Sequence, residues 1–473
     1  MVKALIIAAG RGNRLRPYTD ERPKSLVPLL GLRLIERVIL SAKEAGIREF
    51  VVVTGYRGEE VRAFLGDGGR YGVSIEYVEN RLWRRGNGTS VYEARGLLNG
   101  RFILLMSDHI FNPEILSELK RCESGERECI LCVDTCMEDV VDLDEATKVR
   151  VVGDRVVDIG KDLRDFNGVD TGIFLCTPYL FEVLERNIQA GRYSLTESMR
   201  DLAGEGGLRA LPIDDGDYWL DVDTPESLRA AEKLLLFKAS KHALATRVLY
   251  RYLNTPLTRL FALTPITPNQ VTLLSLLAAV ASSLLFIYHH PLPAGLLALL
   301  SSVLDGVDGK LARIKHMKTT YGGIFDSFVD LYEDLVVFFG MAYYGYVETL
   351  DPLLWFLAFL ALTGTIAVSV PAGISTPTRR YWVSLSKLYR CFPFKSRRGE
   401  VDRWVVECSP ASKDMRYLWI FVGSTLGQVV ATLWAVAVVT NLMAVYRLLR
   451  AKLTTEHLSM AEIEEYLEKI YAK

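Results

Sequence analysis

Hydrophobic and polar residues are arranged differently in the two halves of this 473-residue chain. Up to about residue 240, short apolar runs alternate with amphipathic stretches and polar turns. Beyond residue 268, the apolar runs are about as long as a bilayer is thick, which corresponds to about 20 helical residues. The pattern predicts a soluble first half and a membrane-embedded second half.

The pattern in the first half predicts an α/β fold with a Rossmann-like, mostly parallel sheet. Residues 34–45 have the spacing of an amphipathic helix between two predicted strands. Thr224 followed by Pro225 predicts the start of a later helix, with an N-cap and a first-turn proline. Strands that alternate with helices are typical of parallel sheets covered by helices. Four short β-rich runs carry the strand prediction: residues 5–9, 50–54, 74–78 and 102–106.

The second half predicts an all-α membrane domain of six helices. Its last apolar segment is too long for one crossing, since a helix rises about 1.5 Å per residue and the hydrocarbon core is about 30 Å thick. We therefore expect this segment to cross twice, with a turn near residues 423–428. The apolar segments are residues 271–288, 294–311, 323–346, 353–370 and 417–449.

The distribution of basic residues predicts the orientation of these helices. Loops 313–318, 379–403 and 447–452 are rich in Lys and Arg, whereas loops 288–293 and 347–351 contain neither. Basic loops stay on the cytoplasmic side of a membrane. We therefore expect a multi-pass protein of the cell membrane with both termini in the cytoplasm.

Four regions follow from these boundaries. We expect a cytoplasmic domain at residues 1–237, an amphipathic interfacial linker at 238–266, the six-helix domain at 267–450 and a cytoplasmic tail at 451–473. The N-terminal apolar run is too short for a signal peptide and leads directly into a glycine turn, so we expect the first domain to stay in the cytoplasm. The net charge of −1 argues against a nucleic-acid partner.

Four aspartates lie at the ends of the second and third membrane segments. Asp305 and Asp308 are three residues apart, so both carboxylates lie on one helical face. Asp326 and Asp330, four residues apart, do the same on the next helix. Each charge at bilayer depth costs about 3 kcal/mol, and a converging quartet repels itself. Divalent cations would neutralise it, and all-oxygen ligation suits Mg²⁺ or Mn²⁺. Alternatively, these acids cap helix ends at the membrane interface.

Small and basic residues beside the aspartates indicate phosphate chemistry. Gly309 and Gly322 would let a nucleotide approach the backbone closely, and Arg313 supplies a cation for phosphate oxygens. The chemistry indicated is displacement at phosphorus, in which two metal ions offset the charge on the leaving group. The carboxylate least occupied by metal would take the proton of the acceptor.

The spacing Asp-x2-Asp-Gly-x2-Ala-Arg-x8-Gly-x3-Asp-x3-Asp, from Asp305 to Asp330, resembles the signature of the CDP-alcohol phosphotransferase family. The resemblance implies a six-helix, dimeric membrane domain with two metal ions. It implies that Asp305, Asp308 and Asp326 ligate metal, and that Asp330 is the general base with partial metal contact. It also implies that four residues surround the CDP group: Gly309, Ala312, Arg313 and Gly322.

A glycine turn with nearby basic residues follows the first predicted strand. Backbone N–H groups around Ala9, Gly10 and Gly12 can wrap phosphates, and Arg14 and Lys24 add positive charge for a triphosphate. The turn lacks the third glycine of Gly-x-Gly-x-x-Gly, which excludes a dinucleotide-binding motif.

Arg-Leu-x-Pro from Arg14 and Pro-Lys-x-Leu-x-Pro around Lys24 resemble the nucleotidyltransferases that make nucleotide-sugars and CDP-alcohols. The resemblance covers residues 1–235. It implies that Arg14 and Lys24 bind CTP and stabilise its triphosphate as pyrophosphate leaves. Asp108 then fits the family's strand-end magnesium ligand, and Asp221 fits the second. Asp223 stays open as an alternative ligand, because a turn or capping acid explains it equally well.

Two further segments of the first half are candidates for substrate contacts. Asn87, Gly88 and Thr89 open a predicted helix and are candidates for recognising the base of CTP, although a plain turn and N-cap explains them equally well. Lys148 and Thr171 lie in segments that resemble acceptor-side segments of the nucleotidyltransferases. An isolated lysine such as Lys148 is more often simply solvated.

In the membrane half, Arg416 is the preferred candidate for binding an anionic acceptor. It lies at the cytoplasmic mouth of the fifth predicted span. The other basic residues of this region are explained by the positive-inside distribution alone.

One half would make a CDP-alcohol and the other would consume it. Among such fusions, the sequence most resembles the bifunctional inositol-1-phosphate cytidylyltransferases and di-myo-inositol-phosphate phosphate synthases of heat-loving archaea and bacteria. The resemblance implies that CTP and inositol-1-phosphate give CDP-inositol and pyrophosphate. CDP-inositol and a second inositol-1-phosphate then give phosphorylated di-myo-inositol phosphate and CMP. It further implies a compatible solute as product and a thermophilic source. The distribution of basic residues, in turn, leads us to expect both active sites on the cytoplasmic side.

Two alternatives stay open at this point. The acceptor of the second step is a lipid in one of them, so that the product is a phospholipid. In the other, the chain is a non-catalytic membrane anchor or transporter that carries a nucleotide sensor.

Overall fold

The computed structural model describes residues 2–136, 143–213, 216–238, 247–369, 371–375, 380–384 and 410–455. The chain divides into two compact units, Met1–Leu235 and Leu236–Lys473. Parts of the predicted linker, basic loop and tail lie outside the described residues: 239–246 of the linker, 379 and 385–403 of the basic loop, and 456–473 of the tail.

The strands of the first unit are short and mostly buried. Apolar residues that alternate between two faces, as at Ala4, Leu5 and Ile6, allow one strand to contribute to the cores on both sides of a sheet. The strands are β1 (Lys3–Ala8), β2 (Pro28–Leu29), β3 (Leu32–Arg33), β4 (Glu49–Thr54), β5 (Ser74–Glu79), β6 (Phe102–Met106), β7 (His109–Phe111), β8 (Cys129–Asp134), β9 (Lys148–Val152), β10 (Arg155–Gly160), β11 (Gly168–Cys176), β12 (Leu208–Pro212) and β13 (Trp219–Asp221).

Nine of these strands form one sheet in the order β5-β4-β1-β6-β11-β8-β12-β10-β9. Neighbours within β5-β4-β1-β6 are parallel, as the sequence predicts, and β12 is parallel to β8. The remaining pairings are antiparallel, so the sheet is mixed and the expected parallel order holds for only part of it. The short connection from β9 to β10 is a hairpin, which requires antiparallel strands.

Helices cover both faces of this sheet. One face packs on α1, α2 and α4, and the other packs on α3, α5 and α6, so the unit has three layers. Thr224 caps α7 as predicted, since its hydroxyl accepts from the amide of Ser227 at 3.1 Å. The helices are α1 (Leu34–Glu44), α2 (Gly58–Leu65), α3 (Asn87–Glu93), α4 (Pro113–Leu119), α5 (Tyr179–Gln189), α6 (Leu195–Gly204) and α7 (Pro225–Lys238).

The second unit is a helical bundle with one short hairpin among its described residues. A capping box of Thr267 and Gln270, followed by Pro268, starts the first long apolar helix. Its helices are α8 (Arg247–Ala262), α9 (Pro268–Ile287), α10 (Pro291–Ile314), α11 (Thr320–Thr349), α12 (Leu353–Ser369), α13 (Lys413–Thr425) and α14 (Val429–Thr455), and its hairpin is β14 (Pro371–Ser375) with β15 (Arg380–Ser384).

Three helices in the described part of the chain are long and apolar enough to cross a membrane: Pro268–Ile287, Pro291–Ile314 and Val429–Leu449. A shorter apolar helix spans Leu353–Val368. The last apolar segment is divided between α13 and α14, and Gly427 has a left-handed φ of 67° between them. The turn therefore lies in the region where the sequence predicts it, whereas six membrane crossings remain a prediction.

Candidate active sites

The first site begins where β6 ends. Asp108 follows this central strand directly, and the next residue, His109, starts β7. β7 pairs with β13 in antiparallel register, which sets Asp221 opposite His109. Side chains at directly opposite positions lie on the same face of a strand pair. Topology therefore brings Asp108, His109 and Asp221 together although more than a hundred residues separate the two strands.

Lys24 is buried among the acids of this site. Its ammonium group contacts Asp108 and Asp223 and lies 3.7 Å from Asp221 Oδ1. Burial alone would lower the pKa of Lys24, but the three surrounding carboxylates outweigh burial and raise it above its ordinary value. Lys24 therefore stays charged, as a group that neutralises a triphosphate must.

Arg14 adds a second basic side chain beside Asp223, next to Lys24. Its guanidinium contacts Asp223 and also lies 3.0 Å from Glu145 Oε2. Asp223 contacts both Lys24 and Arg14, whereas Asp108 contacts only Lys24 of the two. The carboxylate and imidazole atoms of Asp108, His109 and Asp221 instead lie within 4.8 Å of one another, as a metal ion would require. This arrangement favours Asp221 over Asp223 as the second metal ligand.

His109 is a site residue that the sequence analysis missed. Its Nε2 lies 3.5 Å from Asp221 Oδ1 and 3.9 Å from Asp108 Oδ1. Burial lowers the pKa of His109, but the charges of Asp221 and Asp108 outweigh burial and raise it to about 9. Burial also raises the pKa of Asp221, yet His109 and Lys24 hold that pKa well below its usual range. The available signal was an Asp-His pair at the end of a buried strand.

The glycine turn packs directly on Lys24. Gly12 has a φ of 74°, and a Cβ added there would lie 2.6 Å from Cβ of Lys24. Glycine is therefore required for both backbone conformation and space. Gly10 is exposed with open space around it, and Ala9 is buried at the end of β1. The structure thus brings the predicted turn and the predicted lysine together.

The segment that begins α3 makes mainly internal contacts. Asn87 Oδ1 accepts from the amide of Leu195 at 2.9 Å. The buried hydroxyl of Thr89 donates to Gly86 O at 2.7 Å, and a Cβ on Gly88 would lie 2.7 Å from Tyr193 O. The N-cap position of α3 is Gly86, so none of these three residues caps the helix, and their contacts hold the turn against neighbouring residues. Recognition of the base by these residues remains a prediction without support from the side-chain contacts.

The two predicted acceptor residues of this unit lie in different environments. Lys148 is half-buried and donates to Lys161 O at 3.2 Å. Thr171 is buried, and its hydroxyl donates to Cys132 O at 2.8 Å. The Thr171 hydroxyl proton is therefore used within the sheet, and acceptor binding by Thr171 remains a prediction. Its backbone carbonyl accepts from His109 at 2.8 Å.

The second site lies between α10 and α11. Asp305, Asp308 and Asp326 place carboxylate oxygens within 4.8 Å of one another. Asp305 and Asp308 lie on α10, and Asp326 lies on α11. The hydroxyl of Thr272 on α9 donates to Asp308. Helical spacing within each helix and packing between the helices therefore converge three of the four predicted aspartates.

The fourth aspartate belongs to an overlapping group. Asp305, Asp330 and Glu333 also place carboxylate oxygens within 4.8 Å of one another. Lys413 on α13 reaches all three, at 2.9 Å from Asp305 Oδ1 and 2.7 Å from Glu333 Oε2 and in contact with Asp330. Glu333 is fully buried. The sequence analysis assigned no role to Glu333, which lies three residues after Asp330 and seven after Asp326 on the same helix.

Arg416 is paired inside the bundle. Its guanidinium lies 2.6 Å from Asp334 Oδ2 and donates to Ala411 O at 2.6 Å. Both members of the pair are almost fully buried. Binding of an anionic acceptor by Arg416 remains a prediction, and its guanidinium already has a carboxylate partner on α11. Asp334 is thus a polar residue inside the bundle, and its partner is Arg416.

The residues expected around the CDP group lie on the same two helices. Gly309, Ala312 and Arg313 follow the first aspartates on α10. A Cβ on Gly309 would lie 3.5 Å from the Arg313 guanidinium, so the two positions adjoin. Gly322 is in the first turn of α11, where its amide donates to the Thr319 hydroxyl at 2.9 Å.

Both acidic clusters suit a divalent cation. Among the described residues, Asp221 Oδ1 and Asp326 Oδ1 are buried carboxylate oxygens without a hydrogen-bond partner. A buried charged oxygen left unsatisfied is costly, and a cation would satisfy it. The all-carboxylate set of the second site suits hard ions such as Mg²⁺ or Mn²⁺. Lys413 and Lys24 already supply part of the neutralising charge at each site.

Comparison with known families agrees with this division. The nucleotidyl transferase family matches residues 3–237, and the CDP-alcohol phosphatidyltransferase family matches residues 265–383. The fold and the two sites therefore define a nucleotidyltransferase joined to a CDP-alcohol phosphotransferase.

Relatives share both halves of the chain. Three proteins named bifunctional IPC transferase and DIPP synthase are similar to it. The one from Thermococcus kodakarensis is 34% identical and covers 78% of this chain and 81% of its own length. That from Rubrobacter xylanophilus is 35% identical, covering 95% and 97%, and that from Aquifex aeolicus is 32% identical, covering 93% and 96%. The chain belongs to this family of bifunctional IPC transferases and DIPP synthases.

Proposed function

We propose that the chain catalyses two consecutive phosphorus displacements, first making CDP-inositol and then consuming it. The proposal rests on one observation: two acidic clusters, each with its own basic residues, occur on one chain of a bifunctional family. In the first step, CTP and inositol-1-phosphate give CDP-inositol and pyrophosphate. In the second, CDP-inositol and another inositol-1-phosphate give phosphorylated di-myo-inositol phosphate and CMP.

The first step belongs to the soluble site. A phosphate oxygen of inositol-1-phosphate forms a bond to the α-phosphorus of CTP, and the bond from that phosphorus to the bridging oxygen of pyrophosphate breaks. The glycine turn at Gly10 and Gly12 binds the triphosphate through backbone amides. Lys24 and Arg14 offset the charge that develops on pyrophosphate. Asp108 and Asp221 would hold the metal ion of this site.

The second step belongs to the site between α10 and α11. A hydroxyl of inositol-1-phosphate forms a bond to the phosphorus that carries inositol, and the bond from that phosphorus to the oxygen of CMP breaks. Asp330 takes the proton of the attacking hydroxyl. Gly309, Ala312, Arg313 and Gly322 surround the CDP group, and Asp305, Asp308 and Asp326 would hold metal.

Divalent ions complete both sites in this proposal. Mg²⁺ or Mn²⁺, one at the soluble site and two at the membrane site, would polarise phosphate oxygens and stabilise the leaving group. The residues themselves bind the nucleotide, orient the acceptor and move the proton.

The cellular setting is part of the same proposal. Residues 1–237, 238–266, 267–450 and 451–473 form the soluble domain, interfacial linker, membrane domain and tail. The basic loops support six crossings with both termini and both active sites facing the cytoplasm. A homodimer through the membrane domain and a compatible solute of a thermophile rest on the family resemblance.

Purified full-length protein in detergent provides the test. It is incubated with Mg²⁺, CTP labelled on its α-phosphorus and inositol-1-phosphate labelled with ¹⁴C, and the products are identified by mass spectrometry. We expect pyrophosphate, CDP-inositol, CMP and a water-soluble inositol phosphodiester. Inositol label that enters product only when lipid is added would contradict the soluble acceptor. Absence of pyrophosphate release and of any CDP-linked product with a panel of alcohol phosphates would contradict the first step, and absence of CMP release from supplied CDP-inositol would contradict the second.

Two variants separate the steps. Asp326→Asn is expected to accumulate CDP-inositol without releasing CMP, because only the membrane site is altered. Asp108→Asn is expected to make no CDP-inositol, yet to release CMP when CDP-inositol is supplied. Unchanged CMP release in Asp326→Asn would contradict the assignment of the membrane site.

A further inference from the structure

His109 is held in one orientation by a bulge in the neighbouring strand. The register between β11 and β8 shifts between Asp170 and Phe174, and this irregularity contains Thr171 and Gly172. The Thr171 carbonyl points away from the ladder to Nδ1 of His109 at 2.8 Å. Bulges next to functional sites commonly redirect a group in this way.

The carbonyl partner decides which ring nitrogen carries the proton. A carbonyl oxygen accepts hydrogen bonds only, so Nδ1 of His109 donates to Thr171. In a neutral ring, the lone pair is then on Nε2, the nitrogen that faces Asp221 and Asp108. Histidines that ligate metals usually donate their other N–H to a backbone carbonyl or a carboxylate.

The backbone leaves space for the ring in this place. Gly172 has a φ of 72°, and a Cβ there would lie 2.3 Å from Cε1 and 2.5 Å from Nδ1 of His109. Any side chain at this position would collide with the imidazole. The ring is also buried, with 11% of its side chain exposed. The site therefore holds His109 more rigidly than an ordinary surface histidine.

The two oxygens of the Asp108 carboxylate face different partners in the acidic cluster. Oδ2 of Asp108 faces Lys24, whereas Oδ1 of the same carboxylate faces His109 at 3.9 Å. Nε2 of His109 lies 3.5 Å from Asp221 Oδ1, which has no hydrogen-bond partner in the described part of the chain. Two ligands that each lie about 2.1 Å from one ion are at most about 4.2 Å apart. Both separations fall within this limit.

We propose that His109 is a third protein ligand, through Nε2, of the divalent cation held by Asp108 and Asp221. This inference rests on the proposed function of the soluble site and extends its ligand set. The competing assignment makes His109 a charged ion-pair partner of Asp221 only. A nitrogen ligand has a specific consequence, because Mg²⁺ prefers oxygen whereas Mn²⁺ and Co²⁺ also accept imidazole. The soluble site would therefore prefer Mn²⁺ or Co²⁺ more strongly than the all-carboxylate membrane site.

Pulsed electron paramagnetic resonance of the Mn²⁺-loaded full-length protein tests the ligand directly. An imidazole nitrogen bound to Mn²⁺ modulates the electron spin echo. We expect ¹⁴N modulation in the wild type and its replacement by the ¹⁵N pattern when the histidines are ¹⁵N-labelled. The described ligand groups of the membrane site contain carboxylates only, so they contribute no such signal. Absence of nitrogen modulation in the wild type would overturn the proposal.

Variants assign the signal to one residue. His109→Gln and His109→Asn are expected to lose the modulation and to weaken one class of Mn²⁺ sites about 10-fold or more. The control His290→Gln changes an exposed histidine before α10. It is expected to keep the nitrogen modulation and the Mn²⁺ affinity of the wild type. Modulation that persists in both His109 variants would overturn the proposal. If neither variant folds, ¹⁵N labelling of the wild-type histidines decides whether the modulating nitrogen belongs to an imidazole, and modulation that the label leaves unchanged would overturn the proposal.

The outcome is distinguishable from failure of the proposed function. CDP-inositol formation is measured with Mg²⁺ on the same wild-type preparation. CDP-inositol produced without nitrogen modulation overturns the ligand assignment alone. Nitrogen modulation without CDP-inositol from CTP and inositol-1-phosphate overturns the proposed reaction and leaves the ligand in place.

Discussion

Lys413 lies 2.9 Å from Asp305 Oδ1, so α13 delivers a cation to a carboxylate of α10. The same ammonium contacts Asp330 and lies 2.7 Å from Glu333 Oε2, both on α11. One lysine therefore joins three helices at the proposed membrane site. Because Glu333 is fully buried, its charge depends on this lysine for compensation.

Replacing Lys413 tests this arrangement. Lys413→Met is expected to lower the free energy of unfolding by about 3 kcal/mol or more, because it leaves buried carboxylates without their partner. Thermal unfolding of the full-length protein in detergent measures the change. Addition of Mg²⁺ is expected to restore part of the loss, because a divalent ion offsets the same carboxylates.

The matched variants for Lys413 are a double substitution and an exposed lysine. Lys413→Met combined with Glu333→Gln is expected to recover stability, since the buried charge is also removed. Lys318→Met, at an exposed position before α11, is expected to unfold as the wild type does. An equal effect of Lys413→Met and Lys318→Met would show that the buried contacts contribute little.

The pair of Arg416 and Asp334 supports a second prediction. Arg416→Met is expected to destabilise the protein by about 3–5 kcal/mol, because Asp334 is then buried without a partner. Combining it with Asp334→Leu is expected to restore most of this loss. The measurements are thermal unfolding and the KM for inositol-1-phosphate in the second step. A stable Arg416→Met protein with a raised KM would instead support acceptor binding.

The sequence predicted elements and sites where the information is local. Asp305 and Asp308 lie on one helical face because of their spacing, and the structure brings them together as expected. The strand before Asp108 was predictable from a short buried apolar run, and its residues 102–106 match β6. Such signals depend on neighbouring residues and on periodicity alone.

Contacts between distant segments were not predictable in the same way. Lys413 and Asp330 are 83 residues apart, and Arg416 and Asp334 are 82 apart, so nothing local pairs them. His109 joins Asp221 only through the register of β7 with β13. The mixed order of the sheet likewise depends on which strands pair with each other. The apolar pattern predicts the strands but not their pairing partners.

Gly12 provides a third prediction. Gly12→Ala is expected to lower the rate of CDP-inositol formation about 100-fold, because the added Cβ displaces Lys24 and a misplacement of about 1 Å has an effect of this size. CMP release from supplied CDP-inositol is expected to stay unchanged. Both rates are measured on the same preparation.

The control for Gly12 is another glycine of the same unit. Gly96→Ala adds a Cβ that meets no atom within 4 Å and is expected to leave both rates unchanged. Similar rates of CDP-inositol formation in the two variants would contradict a role for the packing of Gly12 on Lys24.

Asp170 supports a prediction about pH. Burial raises the pKa of Asp170 to about 6, although the amide of Gly172 at 2.7 Å acts in the opposite direction. Its pKa in an unfolded chain is about 3.9. Below about pH 4 both states are protonated and its stabilising contribution is complete. Between about pH 4 and 6 the unfolded chain loses the proton more readily, so the contribution is lost as pH rises.

Replacing Asp170 by Asn removes this pH dependence. Asn keeps an acceptor for the Gly172 amide but cannot ionise, so Asp170→Asn is expected to exceed the wild type by about 1–3 kcal/mol at pH 7 and to equal it near pH 4. Thermal unfolding of the full-length protein at four pH values between 4 and 7 measures the difference. Asp162→Asn changes an exposed acid of the same unit and serves as control. A parallel pH dependence in wild type and Asp170→Asn would mean that this carboxyl ionises in the folded protein without penalty.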